Sequence, residues 1–231
     1  MDVAQNLERV RHKIAAACRR SGLGPEDVEL VAVTKDVGLD AIKQALDAGV
    51  KVLGENRVQE LVRKYPELPG VRWHFIGHLQ RNKVKPLVGR VELIHSMDRW
   101  SLAQELDRQA RRFGRVFRVL VQVNVTGEAG RFGVPPGDLI DFVNRAAGLE
   151  GLRVEGLMVM APFVTDPEEV RPLFREMRGL FERLSDDSGV RMRYLSMGMS
   201  SDYTVAVEEG ANMVRIGTAV FGPRKCTLRG D

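Results

Sequence analysis

Eight strand-like stretches alternating with helical stretches constrain the fold of this chain more than any other feature of its 231 residues. Leu39, Ile42 and Leu46 fall on one face at helical spacing, and similar patterns cover residues 102–113, 139–147, 170–184 and 204–209. The strand-like stretches are VELVAVTK, VKVLGEN, VRWHFIG, VELIHSMD, FRVLVQVNV, VEGLMVMAP, RYLSMGM and NMVRIGT. This alternation predicts parallel strands joined by right-handed helical crossovers, and eight units favour a closed (β/α)8 TIM barrel. An open doubly wound α/β sheet is the alternative.

The whole chain, residues 1–231, is predicted to form a single domain. No Ser/Pro-rich linker or low-complexity segment interrupts it. The amphipathic stretch over residues 2–21 precedes the first strand and predicts an extra N-terminal helix.

Composition excludes several classes of function. The net charge is +4, but the last eight residues, RKCTLRGD, hold three cations and one acid, and elsewhere charges of both signs are mixed along the helices. Nucleic-acid binding is therefore not expected. The cysteines, Cys18 and Cys226, have no ligand spacing, so neither a disulfide framework nor a metal site is predicted. Because no apolar run approaches the length of a membrane span, a cytoplasmic protein without a membrane partner is expected.

Polar and glycine residues cluster where the predicted strands end. In a parallel barrel the carboxyl ends of the strands carry the active site. The strand ends include Lys35, the Gly-Glu-Asn sequence at 54–56, the Gly-His sequence at 77–78, Ser196 and Gly217. The functional residues are therefore expected at this rim.

Lys35 ends the first predicted strand on the same face as Val31 and Val33. Burying an unpartnered ammonium costs several kcal/mol, so this lysine lies at a water-exposed edge of the core, forms an ion pair, or is kept neutral as a nucleophile. The pattern of the strand alone leaves these three readings open.

The ends of the seventh and eighth strands suggest an anion site. Loops at this position of a barrel often bind phosphate, and Ser196, Gly217 and Thr218 provide hydroxyls and a close approach to the backbone. The same small residues are also suited simply to turning the chain.

Arg215 is the second unusual residue, because it shares an inward face with Met213 and Gly217. A buried guanidinium keeps its charge and needs an acceptor. Either a ligand atom or a neighbouring carboxylate, Glu55 or Asp202, would serve.

A lysine, a phosphate site and an arginine on one rim fit a ligand with an aldehyde, a phosphate and a ring nitrogen. Pyridoxal 5′-phosphate (PLP) has all three groups, and Lys35 would hold it as a Schiff base. A Schiff-base aldolase would share the lysine and the phosphate site without needing a partner for the ring nitrogen.

Long motifs make the chain resemble the pyridoxal phosphate homeostasis protein family over nearly its full length. The motifs are VAVTK, LGENRVQE, WHFIGHLQRNK, HSMD, GLMVMAP, LSMGMSSD and VRIGTAVFG. The resemblance implies a fold-type III PLP barrel similar to the N-terminal domain of alanine racemase. It also implies that Lys35 is the PLP lysine, that Arg215 faces the pyridine nitrogen, and that the remaining cofactor-binding residues are Asn56, Ser196, Gly217 and Thr218.

Two positions depart from the usual pattern of the family. Arg131 stands where related sequences usually carry lysine, and His78 stands where proline is frequent. Both positions concern the detail of loops rather than the PLP site itself.

The sequence favours a carrier over an enzyme. A fixed cation at the ring nitrogen keeps that nitrogen unprotonated and weakens the ring as an electron sink. A racemase needs a second acid/base, and none of Tyr65, Tyr194 and Tyr203 is obviously placed for that role. We therefore expect a non-catalytic monomer that holds PLP reversibly and supplies or buffers it, with apo PLP-dependent enzymes as partners. A PLP-dependent racemase and a scaffold that binds no cofactor are the alternatives.

Overall fold

The computed structural model describes residues 2–128, 130–187 and 190–223, with only the backbone at 186 and 187. Cys226 and the basic C-terminal residues lie outside these ranges. Eight parallel strands close into a barrel in chain order, with β8 paired to β1, which confirms the TIM barrel and excludes the open sheet. The strands are β1 (Glu29–Val33), β2 (Val52–Glu55), β3 (Arg72–Phe75), β4 (Leu93–Met97), β5 (Phe117–Val123), β6 (Leu152–Val159), β7 (Tyr194–Ser196) and β8 (Met213–Ile216).

The helices surround this barrel. They are α1 (Val3–Ser21), α2 (Leu39–Asp47), α3 (Val58–Lys64), α4 (Trp100–Arg112), α5 (Leu139–Ala147), α6 (Arg171–Asp187), α7 (Tyr203–Glu208) and α8 (Thr218–Phe221). The extra N-terminal helix is confirmed as α1, which packs against α2, α7 and α8. Asp2 caps α1 by accepting hydrogen bonds from the first-turn amides, and Gly22 ends it in the left-handed conformation.

The elements between and after the strands differ from the sequence prediction in three places. Helices α3 and α8 were not predicted, since they are only seven and four residues long and too short for a clear apolar stripe. Between β3 and β4 the chain forms 3-10 turns, Arg81–Lys83 and Lys85–Leu87, instead of an α-helix. Pro86 in the second turn lacks the amide that a continuing α-helix would use as a donor.

The barrel has a small interior core and a larger outer one. The outer core lies between the strands and the helices and contains most of the buried apolar residues. The interior core is Val31, Val52, Leu93, Leu120, Met158 and Met213. These six side chains fill the barrel, so a ligand cannot pass through it and can bind only at an end.

The N-terminal mouth of the barrel is closed by alternating charges. Arg72 pairs with Glu92 at 2.6 Å and with Glu29 at 2.8 Å, while Arg118 pairs with Glu155 at 2.6 Å and with Glu92 at 2.9 Å. Hydrogen bonds from Arg72 and then Arg118 lower the pKa of Glu92 to about 2, against the effect of burial. In this structure the charges therefore form a structural plug.

Within the described ranges, no helix has both the length and the apolar character needed to cross a membrane.

Candidate functional site

A cavity of about 520 Å³ opens at the C-terminal end of the barrel, where the polar strand ends were predicted to meet. Five of the six residues predicted to bind a cofactor line it: Lys35, Asn56, Arg215, Gly217 and Thr218. Ser196 does not line the cavity. Ser196 is fully buried in the barrel beneath the cavity, where its hydroxyl accepts a hydrogen bond from Arg215. The barrel therefore brings the six residues together, but only five of them face the space that a ligand would fill.

Lys35 occupies a tight turn rather than the last position of β1. The strand ends at Val33, and the Val37 amide donates to the Thr34 carbonyl at 3.0 Å, which places Lys35 and Asp36 at the centre of the turn. Asp36 has a φ of 59°, a left-handed conformation that aspartate tolerates better than most residues. The Lys35 side chain is half-buried, and no described residue gives its amine a hydrogen bond or an ion pair. Of the three readings of this lysine, the ion pair is excluded within the described residues.

Arg215 points into the barrel from β8 and is almost completely buried. Its guanidinium donates to the Ser196 carbonyl at 3.0 Å, to the Ser196 hydroxyl at 2.6 Å and to the Val159 carbonyl at 2.8 Å. Burial lowers the pKa of Arg215 to about 10, and the nearby charge of Asp202 acts in the opposite direction. The guanidinium is therefore a fixed cation at neutral pH, held by carbonyl and hydroxyl oxygens rather than by a hydrogen bond to a carboxylate.

Two buried histidines extend this network beneath the cavity. His95 Nδ1 lies 3.1 Å from the Ser196 hydroxyl, and His95 Nε2 lies 3.0 Å from His74 Nδ1. Burial lowers the pKa of His74 to about 3 and that of His95 well below its usual value, so both rings are neutral. The Ser196 hydroxyl has one proton and two lone pairs, so it accepts from Arg215 and also shares a hydrogen bond with His95 Nδ1, whose direction depends on the tautomer of His95. A chain of hydrogen bonds then runs from Arg215 through Ser196 and His95 to His74.

Ser200 is a residue of the cavity that the sequence reasoning did not select. Its hydroxyl oxygen accepts hydrogen bonds from the backbone amides of Gly217 and Ala219, both at 3.2 Å, and it lines the cavity beside Thr218. The LSMGMSSD motif contained it, but the residues after Ser196 leave the strand, so alternation could not show which serine faces inward. Two amides and two hydroxyls therefore converge at this end of the cavity.

Asn56, directly after β2, supplies a polar atom without a partner to the cavity wall. Its Oδ1 is buried and has no hydrogen-bond partner, although its backbone amide donates to Glu55 at 3.1 Å. A buried amide oxygen left unpaired costs about 1–3 kcal/mol, which a donor on a ligand would offset. Asn56 is thus available to a bound molecule.

Apart from the exposed Ser201, the rest of the cavity wall is apolar. Val33, Ile76, Met160, Phe163 and Met199 line it, and Phe163 is 91% exposed at the mouth. This arrangement suits a flat ring with polar groups at its ends.

None of the three tyrosines lines the cavity. Tyr65 follows α3, Tyr194 lies low in the barrel near Arg118, and Tyr203 is buried in α7. The cavity thus contains no phenol that could serve as a second acid/base.

The two positions that depart from the family pattern lie on neighbouring loops. His78 stacks on Phe132 with ring centroids 3.7 Å apart and faces Asp98, while Arg131 pairs with Glu128 at 2.5 Å. Neither His78 nor Arg131 lines the cavity. Within the described residues, no three His, Cys, Asp or Glu side chains are grouped as they would be around a metal ion.

Comparisons with known proteins agree with this geometry. The sequence profile described as "Alanine racemase, N-terminal domain" matches residues 5–225. A protein of Aquifex aeolicus named pyridoxal phosphate homeostasis protein is 45% identical over 227 residues, which cover 97% of this chain and all of that protein. The structure of PipY from Synechococcus elongatus with PLP bound is similar at a TM-score of 0.83 and 38% identity, covering 95% of this chain and 100% of that one.

A more distant likeness concerns the fold alone. Alanine racemase from Clostridium difficile superposes with a TM-score of 0.74 at 17% identity, covering 95% of this chain but 55% of the racemase. The barrel architecture is thus common to both proteins, while the sequences differ at most positions.

Proposed function

Because this chain belongs to the pyridoxal phosphate homeostasis protein family, we propose that it binds PLP in the cavity at the C-terminal end of its barrel. It holds the cofactor reversibly on Lys35 and supplies or buffers it. The observation that carries this proposal is the meeting of an unpaired lysine, a fixed arginine and a group of amides and hydroxyls around one cavity.

The residues of the cavity fit the chemical groups of PLP. PLP supplies an aldehyde, which condenses with a primary amine with loss of water, and a phosphate, which accepts hydrogen bonds. Lys35 is the amine, Ser200 and Thr218 provide hydroxyl donors for the phosphate, and Gly217 lets the backbone lie close to it. The unpartnered Oδ1 of Asn56 would accept a hydrogen bond from the ligand.

Arg215 is the residue that argues for holding PLP rather than using it in catalysis. Its guanidinium is charged and held by Ser196 and Val159, and with PLP bound it would face the ring nitrogen and favour the form of that nitrogen without a proton. An unprotonated ring withdraws electrons weakly, which disfavours carbanion chemistry. With no tyrosine in the cavity wall, the PLP-dependent racemase is the weaker alternative.

The exchange of PLP with other proteins is part of the same proposal. Apo PLP-dependent enzymes are the proposed receivers, and a cytoplasmic monomer is the proposed form of the donor. Two reactions are compared, both containing an apo PLP-dependent enzyme and a scavenger of free PLP. The PLP-loaded protein should restore the activity of that enzyme faster than the same amount of free PLP does. Equal rates would contradict the supply role.

The binding step is tested by trapping the linkage. Purified protein is incubated with PLP, reduced with borohydride and digested, and the modified peptide is located by mass spectrometry. We expect one stable adduct on Lys35 and a visible absorption band that Lys35→Ala lacks, while Lys43→Ala, at an exposed position of α2, behaves as wild type. An unchanged band in Lys35→Ala would contradict the proposal, and steady racemisation of an amino acid that depends on Lys35 would favour the racemase.

A further inference from the structure

The charged residues of the GENRVQE motif do not line the cavity but form a network behind Lys35. Glu55, Glu60 and the nearby Lys64 lie on β2 and α3, on the far side of the turn that carries Lys35. Glu55 and Lys64 are buried, with side-chain exposures of 0% and 3%. The PLP cavity leaves these residues without an assigned role.

Lys64 contacts the residue that precedes Lys35. Its ammonium donates to the Thr34 carbonyl at 2.7 Å, to Glu55 Oε1 at 2.5 Å and to Glu60 Oε2 at 3.1 Å. The ammonium has three protons, and these three acceptors use all of them. The Thr34 carbonyl is therefore fixed both by Lys64 and by the turn.

Glu60 contacts the residue that follows Lys35. Its Oε2 accepts the Asp36 amide at 3.1 Å, and its Oε1 accepts Arg57 at 3.1 Å. Arg57 also pairs with the Asp36 carboxylate at 3.0 Å. Both peptide units next to Lys35 are thus held by side chains of α3, one by Lys64 and the other by Glu60.

Glu55 joins the two walls of the site. Its Oε1 accepts the Thr34 hydroxyl at 2.7 Å, and its Oε2 accepts the Asn56 amide at 3.1 Å. One buried carboxylate therefore fixes the strand end before Lys35 and the backbone of Asn56, which lines the cavity.

Stability alone does not explain a network of this kind. Removing two charges from water costs several kcal/mol per ion, and well-packed apolar residues are often at least as stabilising as a buried ion pair. What the network adds is a fixed geometry for the site, because Lys64, Glu60 and Glu55 each form a hydrogen bond to a group beside Lys35 or to the backbone of Asn56. The turn would otherwise carry a left-handed Asp36 on an exposed loop with little to fix it.

We propose that Glu60 and Lys64 are positioning residues, which fix the turn from Thr34 to Val37 so that the Lys35 amine points at the carbonyl carbon of PLP. This inference rests on the proposed function, in which Lys35 is the residue that holds PLP. Neither residue contacts the cavity, so both act through the backbone on either side of Lys35.

The test compares two ligands that differ in the reacting group. Pyridoxine 5′-phosphate has an alcohol where PLP has an aldehyde, so it occupies the same cavity without reacting with Lys35. We expect Glu60→Ala to weaken PLP binding by about tenfold, since a misdirected amine loses the benefit of its fixed orientation, and to leave the affinity for pyridoxine 5′-phosphate within about twofold. Glu60→Gln, which keeps one acceptor oxygen, should lie between Glu60→Ala and wild type.

A second measurement uses the protein without any ligand. Amide hydrogen exchange of the peptide that contains residues 34–37 should be faster in Glu60→Ala than in wild type, because the Asp36 amide loses its acceptor. Glu67→Gln, on the exposed turn after α3, serves as the matched control and should match wild type in both measurements. Lys64→Met leaves Glu55 buried without its cation and is informative only if it folds, so Glu60 carries the test.

The outcomes separate the inference from the function on which it rests. Equal loss of both ligands in Glu60→Ala, together with a lower melting temperature, would show a purely structural role and overturn the inference. Unchanged PLP binding and unchanged exchange would overturn it as well. If wild type and Lys35→Ala bind PLP equally, the proposed function fails, and the exchange measurement still decides whether Glu60 fixes the turn.

Discussion

Ser196 and Ser200 lie four residues apart, and their hydroxyls have different partners. Ser196 is buried between Arg215 and His95, whereas Ser200 accepts from two backbone amides at the edge of the cavity. Ser196 helps to orient the guanidinium of Arg215, whereas Ser200 can contact a ligand in the cavity. The chemistry of the side chain is the same in both, so only its neighbours distinguish the two roles.

Ser196→Ala should therefore act on stability more than Ser200→Ala does. Losing the hydroxyl removes one hydrogen bond from a buried guanidinium and one to His95, and we expect the free energy of unfolding to fall by about 1.5–3 kcal/mol. Ser200→Ala, at a half-buried position where water can replace the hydroxyl, should lower it by less than about 1 kcal/mol. Urea denaturation of the protein without PLP measures both. A Ser196→Ala variant as stable as wild type would contradict the assigned network.

At the scale of the elements, the ends of β2 and β3 are packed too closely for a side chain at Gly77. A Cβ added there would lie 2.1 Å from the Asn56 carbonyl oxygen and 2.7 Å from the Asn56 Cα. Both contacts are with backbone, which cannot move without shifting the end of β2. Gly77 thus allows the strand that carries Asn56 to reach its place in the cavity wall.

Gly77→Ala is expected to disturb both the fold and the site. Overpacking of this kind typically costs about 1–3 kcal/mol, and the displaced backbone of Asn56 should weaken PLP binding as well. Gly179→Ala in α6 is the matched control, because a Cβ there meets nothing within 4 Å and alanine favours a helix by up to about 1 kcal/mol. Urea denaturation and PLP titration of the two variants check this, and equal stability of both would contradict the close packing.

At the scale of the whole molecule, the two mouths of the barrel carry different kinds of polar residues. The C-terminal mouth has an unpaired lysine, an unpaired amide oxygen and an open cavity. The N-terminal mouth has arginines and carboxylates paired with one another. The interior apolar core separates the two, so changes at one end should reach the other only through the strands.

Arg118→Met tests this separation. Glu155 is only 4% exposed and would lose its bidentate partner, so we expect the free energy of unfolding to fall by about 3 kcal/mol, with PLP affinity unchanged within about twofold. Arg108→Met, which breaks a pair at the surface of α4, should be indistinguishable from wild type in both measurements. Weaker PLP binding in Arg118→Met, measured at a temperature where it is folded, would show that the two ends are coupled.

Much of the fold could be predicted from local pattern. The eight strands alternate with helical stripes, so a parallel arrangement with crossovers and the helix α1 could be predicted from periodicity and connection rules. The number of strands favoured the closed barrel, and the pairing of β8 with β1 decided it against the open sheet. The short helices α3 and α8 and the 3-10 turns after β3 could not be predicted in the same way. Their few residues carry too little periodic signal, and packing against the barrel decides their conformation.

The sequence by itself determined the class of fold and placed Lys35, Asn56, Arg215, Gly217 and Thr218 on one rim, because parallel strands in a barrel end at the same side. Only the tertiary structure decided which atoms these residues contact. Ser196 lies below the cavity, Ser200 lies in its wall, and Lys64 and Glu60 hold the turn around Lys35 from a separate helix. The contacts of Lys64 with Glu55 and with Thr34 join residues that are 9 and 30 positions apart in the sequence. Beyond the end of a strand, the direction of a side chain depends on such packing rather than on periodicity.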